Sequence, residues 1–154
     1  MKFTRLTLLA LLLPLAPLAT AAGHPLAGTD VTVTVTVTQL RNAEGLVIAC
    51  MTGDPARFPK CRSGTPSYRT IVDAHAGKVT LTFPGVAPGR YAIALLHDEN
   101  GNGKADRALG MMPREGFGFS RDAKVVMGPP RFEDAMFEVS DSPKSLAIKM
   151  RYMF

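Results

Sequence analysis

The residues with the clearest capacity for chemistry lie in the stretch HDENGNGKAD, His97 to Asp106. Asp98, Asn100 and Asn102 alternate, Gly103 follows, and Asp106 comes three residues later. This spacing reproduces the first, third, fifth, sixth and ninth positions of an EF-hand calcium loop. Alternating short oxygen side chains can converge on one hard cation, and the glycine permits the bend that brings them together. Lys104 would contribute through its backbone carbonyl, as the seventh position does in such loops. Two features depart from that pattern. The twelfth position, where a bidentate glutamate belongs, is Leu109, and two asparagines stand in for carboxylates. A missing ligand would have to come from Glu99, Glu115 or Asp134. The plainer reading is an Asx-rich turn, because Asn and Gly accept left-handed backbone angles at little cost. Calcium is the one ion the pattern suggests, and no other cofactor is implied.

A second constellation is GMMPREGFGFSRDAKVVMGPPRFEDA, Gly110 to Ala135. It is rich in Pro, Gly and aromatic residues and has little regular period, so it reads as a long excursion between strands. Long ordered loops in compact domains are often functional. Phe117, Phe119 and Phe132 would line a shallow pocket, with Arg114, Glu115, Arg121 and Glu133 at its rim. The competing reading is that the phenylalanines only tuck the loop onto the body of the domain.

Catalysis finds little support. The three histidines, His24, His75 and His97, are scattered, and no G-x-S-x-G motif occurs. Asp98, Glu99 and Asp106 suggest a carboxylate pair for glycoside chemistry, although acidic loops are more often simply solvated. A transition-metal site at His97, Asp98 and Asp106 lacks a second histidine. The expectation is that the protein is not an enzyme.

The elements that must position these residues read mostly as strands. In DVTVTVTVTQL, Val31, Val33, Val35 and Val37 share one face while Thr32, Thr34, Thr36 and Thr38 share the other. After the turn RNAEG, LVIACM reads as the returning strand of an N-terminal hairpin. YRTIVDAH and VTLTF follow, and YAIALL is apolar on both faces, as a central strand must be. DAMFEV and SLAIKMRY are two more. About seven short strands with close turn signals argue for a single all-β domain, an antiparallel β-sandwich. Val86-x-Pro88-x-x-Tyr91 has the spacing of a tyrosine corner, or else of a plain turn followed by a core tyrosine.

The two cysteines, Cys50 and Cys61, bracket CMTGDPARFPKC. An even pair in an exported chain favours a structural disulfide, worth about 3 kcal/mol for a loop of this length. No C-x-x-C spacing supports a redox pair, and the further ligands of a closed zinc site are missing.

The first 22 residues have the form of a signal peptide. Lys2 and Arg5 precede an apolar run from Leu6 to Leu18, and Ala19-Thr20-Ala21 fits a cleavage site. The run is too short to span a bilayer, which takes about 20 apolar residues, so no transmembrane anchor should remain after cleavage. This predicts export to the periplasm or the exterior and a mature domain over residues 23–154. Removing Lys2 and Arg5 from the 18 basic residues leaves 16 against 13 acidic ones. Those charges are scattered, which argues against a nucleic-acid partner.

The motifs F-x-G-V-x-P-G-x-Y-A-I-A-L-L-H-D-E-N-G-N-G-K-x-D, P-R-E-G-F-G-F-S and G-P-P-R-F-E-D-A-M-F-E-V follow one another between Phe83 and Val139. With VTVTVTQLRNAEGLVIAC before them, the chain resembles a bacterial exported family catalogued as domain of unknown function twenty-one forty-one. The resemblance implies an immunoglobulin-like or transthyretin-like sandwich, and brings no activity or catalytic residue with it. The Cys50–Cys61 loop looks like a departure from the usual form. The leading expectation is a non-enzymatic binding or interaction module with a weak calcium site at 98–106, its partner a protein, glycan or envelope component. The alternatives are a structural envelope or matrix component and, behind it, a hydrolase using the acidic loop.

Overall fold

The computed structural model describes residues 29–60, 67–108 and 112–153. The signal-peptide reading at 1–22, Cys61 and Leu109 lie outside the described residues. In chain order the strands are β1 (Val31–Leu40), β2 (Leu46–Thr52), β3 (Ser67–Asp73), β4 (Gly77–Val86), β5 (Gly89–Asp98), β6 (Arg107–Ala108), β7 (Met112–Pro113), β8 (Gly116–Phe119), β9 (Phe137–Val139) and β10 (Lys144–Lys149). The only helical pieces among the described residues are a 3-10 turn at Ser120–Asp122 and one α-turn, α1 (Phe132–Ala135).

The alternation of β1 does what its period demands. Val31, Val33, Val35 and Val37 are buried, while the threonines between them are exposed or half-buried. The strand is the middle of a three-stranded sheet, antiparallel to β4 with Val35 opposite Leu81. On its other side it runs parallel to β10, with Val35 opposite Leu146. At its end Gln39 takes a positive φ of 64° where the register with β4 shifts, and the shift turns Leu40 into the core.

The second sheet has the order β3-β2-β5-β8, and β9 pairs with the start of β5. Val47, Ala49 and Met51 of β2 and Tyr91, Ile93 and Leu95 of β5 meet the valines of β1 and Val79, Leu81 and Phe83 of β4 in one core. Burying a side chain of this kind contributes about 1.5–3 kcal/mol, so the two facing sheets are the main stabilising element. The C-terminal strand joins them at one edge. Beyond β10, Arg151 pairs with Phe117, each N–H donating to the other's carbonyl at 2.9 and 2.8 Å. This approach requires glycines on the inner face of β8. A Cβ on Gly116 would collide with the Tyr152 ring, and one on Gly118 would sit 3.0 Å from the Lys149 carbonyl.

The all-β expectation therefore holds, with four corrections. β1 and β2 do not form a hairpin: they belong to different sheets, because β1 is bracketed by β4 and β10 while β2 is bracketed by β3 and β5. The arrangement is not wholly antiparallel, since β1 and β10 run in parallel. Among the described residues there are more strands than seven, the surplus being the short β6 and β7 and the strand β8 within the expected loop. DAMFEV is not one strand, because Ala135 closes α1 before β9 begins at Phe137.

Between the sheets lies the tyrosine corner. β4 ends in the first sheet and β5 begins in the second, and the Tyr91 hydroxyl donates to the Ala87 carbonyl at 2.9 Å. The Tyr91 ring packs edge-on to Tyr68 with centroids 5.8 Å apart. Burial, with the neighbouring Tyr68 hydroxyl, pushes the Tyr91 phenol up to about 12.

Candidate binding groove and acidic loop

The outer face of the second sheet is covered at one end only. There Ala92, Phe119, Ala123, Phe132 and Ala135 form a second cluster, joined by Phe58 and Phe117. Phe58 packs edge-on against both Phe119 and Phe132, with centroids 5.8 and 6.1 Å apart. Ser120 anchors this cover: its Oγ donates to the Ala135 carbonyl at 2.6 Å and accepts the Ile93 N–H at 2.9 Å. Asp122 and Arg151 tie it to the C-terminal strand. Asp122 accepts the Lys149 N–H at 2.9 Å, and the Arg151 guanidinium donates to the carbonyls of Asp122 and Ala123.

Beyond the cover the same face opens into a groove of about 790 Å³. Its floor is Ile48 and Cys50 of β2, Ala94 and Leu96 of β5, and Phe117 and Phe119 of β8. Met112, Met127 and Met153 stand along it, each with an exposed side chain, and Lys60, Arg69 and Arg107 lie among its walls. These three cations make no ion pair among the described residues; the pairs there are Arg41–Glu99, Arg57–Asp54 and Arg131–Asp134. The volume lies within the range of small-molecule sites, about 300–1,000 Å³.

The aromatic residues expected to share one pocket are therefore divided. Phe117 and Phe119 belong to strand β8 and line the groove, whereas Phe132 is buried in the cover. Arg121 and Glu133 line a separate hollow with Pro130 and Arg131, which meets the groove at Pro129. Arg114 is exposed, and Glu115 is a buried wall residue rather than a rim charge. The methionines and the Ile48–Leu96 floor were missed because isolated apolar residues do not reveal which sheet face stays uncovered. Cys50 is disulfide-bonded and lies within β2, as the strand reading of LVIACM expects; its expected partner, Cys61, lies outside the described residues.

At one end of the groove β5 runs into the acidic loop. Asp98 is fully buried. Its carboxylate accepts the Gly103 N–H at 2.7 Å and the Asn102 N–H at 3.1 Å. Gly101 and Gly103 supply the positive φ angles, 69° and 75°, that let the backbone fold back onto it. Asn100 accepts the Asn102 N–H at 3.0 Å, and Asn102 accepts that of Lys104 at 2.8 Å. Both asparagine amides donate to one oxygen of Asp106, at 2.7 and 3.1 Å. Those two amides hold the Asp106 carboxyl below the usual range, Asn102 more strongly.

Asp98, Asn100, Asn102 and Asp106 are thus brought together, and Lys104 is tied in through its N–H. Of the three outside acids considered, Glu115 alone joins them. Its carboxylate accepts the Asp106 N–H at 3.0 Å, while Arg114, the residue before it, donates its N–H to the Asp106 carbonyl at 3.0 Å. Burial pushes the Glu115 carboxyl up, and the charges of Asp98 and Asp106 add to the effect. Glu99 turns away to accept from Arg41 Nε at 2.8 Å and from the Asn42 amide at 2.6 Å, and Arg41 holds it below the usual carboxylate range. Asp134 is paired with Arg131 on α1 at 3.2 Å. Among the described residues no three His, Cys, Asp or Glu side chains already stand as a metal-holding group.

The two ring nitrogens of buried His97 lie 2.7 Å from the Tyr152 hydroxyl and 2.8 Å from the Glu44 carbonyl. The carbonyl can only accept, so Nε2 carries the proton and Nδ1 accepts from Tyr152. Tyr152 in turn accepts the Arg41 N–H at 3.2 Å, and the Arg41 guanidinium lies 4.5 Å from the tyrosine ring. His97 therefore has no lone pair free for a transition metal. Asp98 and Glu99 point into different networks, whereas Asp98 and Asp106 share the acidic loop.

No helix among the described residues is long and apolar enough to cross a membrane. No curated protein and no solved structure matches the chain. A family model does match, over residues 35–147, from the third valine of β1 into β10. That span covers most of both sheets, the acidic loop and the groove, and by it the chain belongs to the family described as "Uncharacterized protein conserved in bacteria (DUF2141)".

Proposed function

We propose that this protein is an exported, non-enzymatic binding module that holds a small amphipathic anion in the groove on the outer face of its second sheet. The observation that carries the reading is the pairing of an apolar floor with three exposed methionines and, in the same walls, cations that make no ion pair among the described residues. A floor of Ile48, Leu96 and Phe117 suits an acyl or aromatic body. Methionine thioethers adapt to irregular apolar ligands at low conformational cost. Lys60, Arg69 and Arg107 would receive the anionic head. Binding rather than turnover is favoured because His97 and Asp98 are both consumed in structural hydrogen bonds. Export rests on the form of the first 22 residues, and fits a disulfide-bonded cysteine.

The test is a fluorescence titration with anilinonaphthalene sulfonate and a fluorescent fatty acid, set against the uncharged ester of the same acid. The expectation is saturable binding of one anion per chain. Arg107→Glu should weaken the acid by roughly tenfold, about 1.4 kcal/mol, and leave the ester nearly unchanged. No saturable binding, or equal binding of acid and ester by both proteins, would count against the proposal.

A further inference from the structure

We propose that the loop Asp98–Asp106 together with Glu115 binds a calcium ion, Glu115 supplying the carboxylate that Leu109 lacks. The second observation beside the acidic loop is Glu115 itself. It is 4 % exposed, one carboxylate oxygen is held by the Asp106 N–H at 3.0 Å, and the other, Oε1, is buried with no hydrogen-bond partner among the described residues. A buried carboxylate oxygen left unsatisfied is costly, and here Asp98 and Asp106 add like charge. A divalent cation reverses the sign of that arrangement, because the three carboxylates then face opposite charge.

The chemistry of the donors selects the ion. Three carboxylates and two asparagine side chains form an all-oxygen set, which suits a hard cation. Among the described residues the adjoining imidazole, His97, is occupied on both nitrogens. Calcium accepts six to eight oxygens in irregular geometry, whereas magnesium demands a compact octahedron. The ion would also need Asp106 Oδ2 to exchange its two amide hydrogen bonds for coordination. Those bonds lie at the surface, so little is lost when water or metal replaces them. Two neutral ligands and a loop that must rearrange place the affinity in the class of extracellular modules, about 0.1–1 mM. The inference stands apart from the groove reading, although Asp106 and Glu115 also line the groove wall.

The experiment is thermal and chemical unfolding of the chelator-stripped protein with and without calcium, repeated with magnesium. At ~5 mM calcium the folding equilibrium constant should rise roughly sixfold to fiftyfold, given that affinity class. Glu115→Gln keeps the shape and the hydrogen bond from Asp106 but should abolish most of the rise. Half-buried Asp106→Asn should also reduce it with less risk to the fold than replacement of fully buried Asp98. Magnesium should give less than half the calcium effect. The proposal is overturned by the absence of any calcium-dependent shift, or by a shift that Glu115→Gln leaves intact.

Discussion

The buried carboxylate of Glu115 accepts the backbone N–H of Asp106 at 3.0 Å, so the bend residue just before β8 closes a loop that begins at the end of β5. This link makes Glu115 part of the acidic loop although nine residues separate the two positions. It also leaves a negative charge in a place that burial and two neighbouring carboxylates disfavour.

In chelator at neutral pH, Glu115→Gln should therefore be at least as stable as the wild type. The amide retains an oxygen for the Asp106 N–H and turns its NH₂ toward the carboxylates. Urea unfolding with a matched slope checks this. A clear loss of stability in the variant would mean that the charge is already compensated in the ion-free protein.

Tyr91→Phe removes the hydroxyl that spans the crossover from β4 to β5, and should cost about 1 kcal/mol. The same group gives the fold an alkaline limit. Its folded value is raised to about 12 from the usual 10.0, so its contribution is complete below pH 10 and lost as pH rises toward 12. Ultraviolet titration of the tyrosinates should show a late step that Tyr91→Phe removes. If all three tyrosines of the chain ionise together near pH 10, the corner hydrogen bond does not hold.

His97 and Gly116 meet at Tyr152 from two sides. His97→Leu leaves the Tyr152 hydroxyl and the Glu44 carbonyl without their buried partner, at a cost of about 2–4 kcal/mol. Gly116→Ala would drive a methyl into the Tyr152 ring, and should be destabilising by about 1–3 kcal/mol. Tyr152→Ala should make the alanine at 116 nearly neutral, a coupling that a double-mutant cycle in urea would read. Additive effects would contradict the contact.

How far the sequence reveals these features depends on the reach of each signal. The Val–Thr alternation of β1 marks its inward face correctly, because a period of two is local. The apolar run of β5 is central in its sheet as expected, but its outer face is only half-buried at Ala94 and Leu96. The spacing from Val86 to Tyr91 likewise contains the corner, since donor and acceptor are four residues apart. Partner choice is not local. Nothing in DVTVTVTVTQL says that its neighbours are the distant β4 and β10 rather than β2. The acidic loop is legible as far as Asp98, Asn100, Asn102 and Asp106. The role of Glu115 becomes visible only when β8 lies beside β5 and buries it. The groove is legible least of all, for it is the part of a sheet face that the segment from Ser120 to Met136 leaves uncovered.

The most direct measurement is a crystal structure grown in ~10 mM calcium after chelator treatment, above the weakest affinity expected of such modules. The account predicts one ion at about 2.3–2.6 Å from oxygens of Asp98, Asp106 and Glu115, with Oε1 among them and the Asn amides turned off Asp106. An ion-free loop with both amides still on Asp106 and Glu115 Oε1 still unpartnered would contradict it.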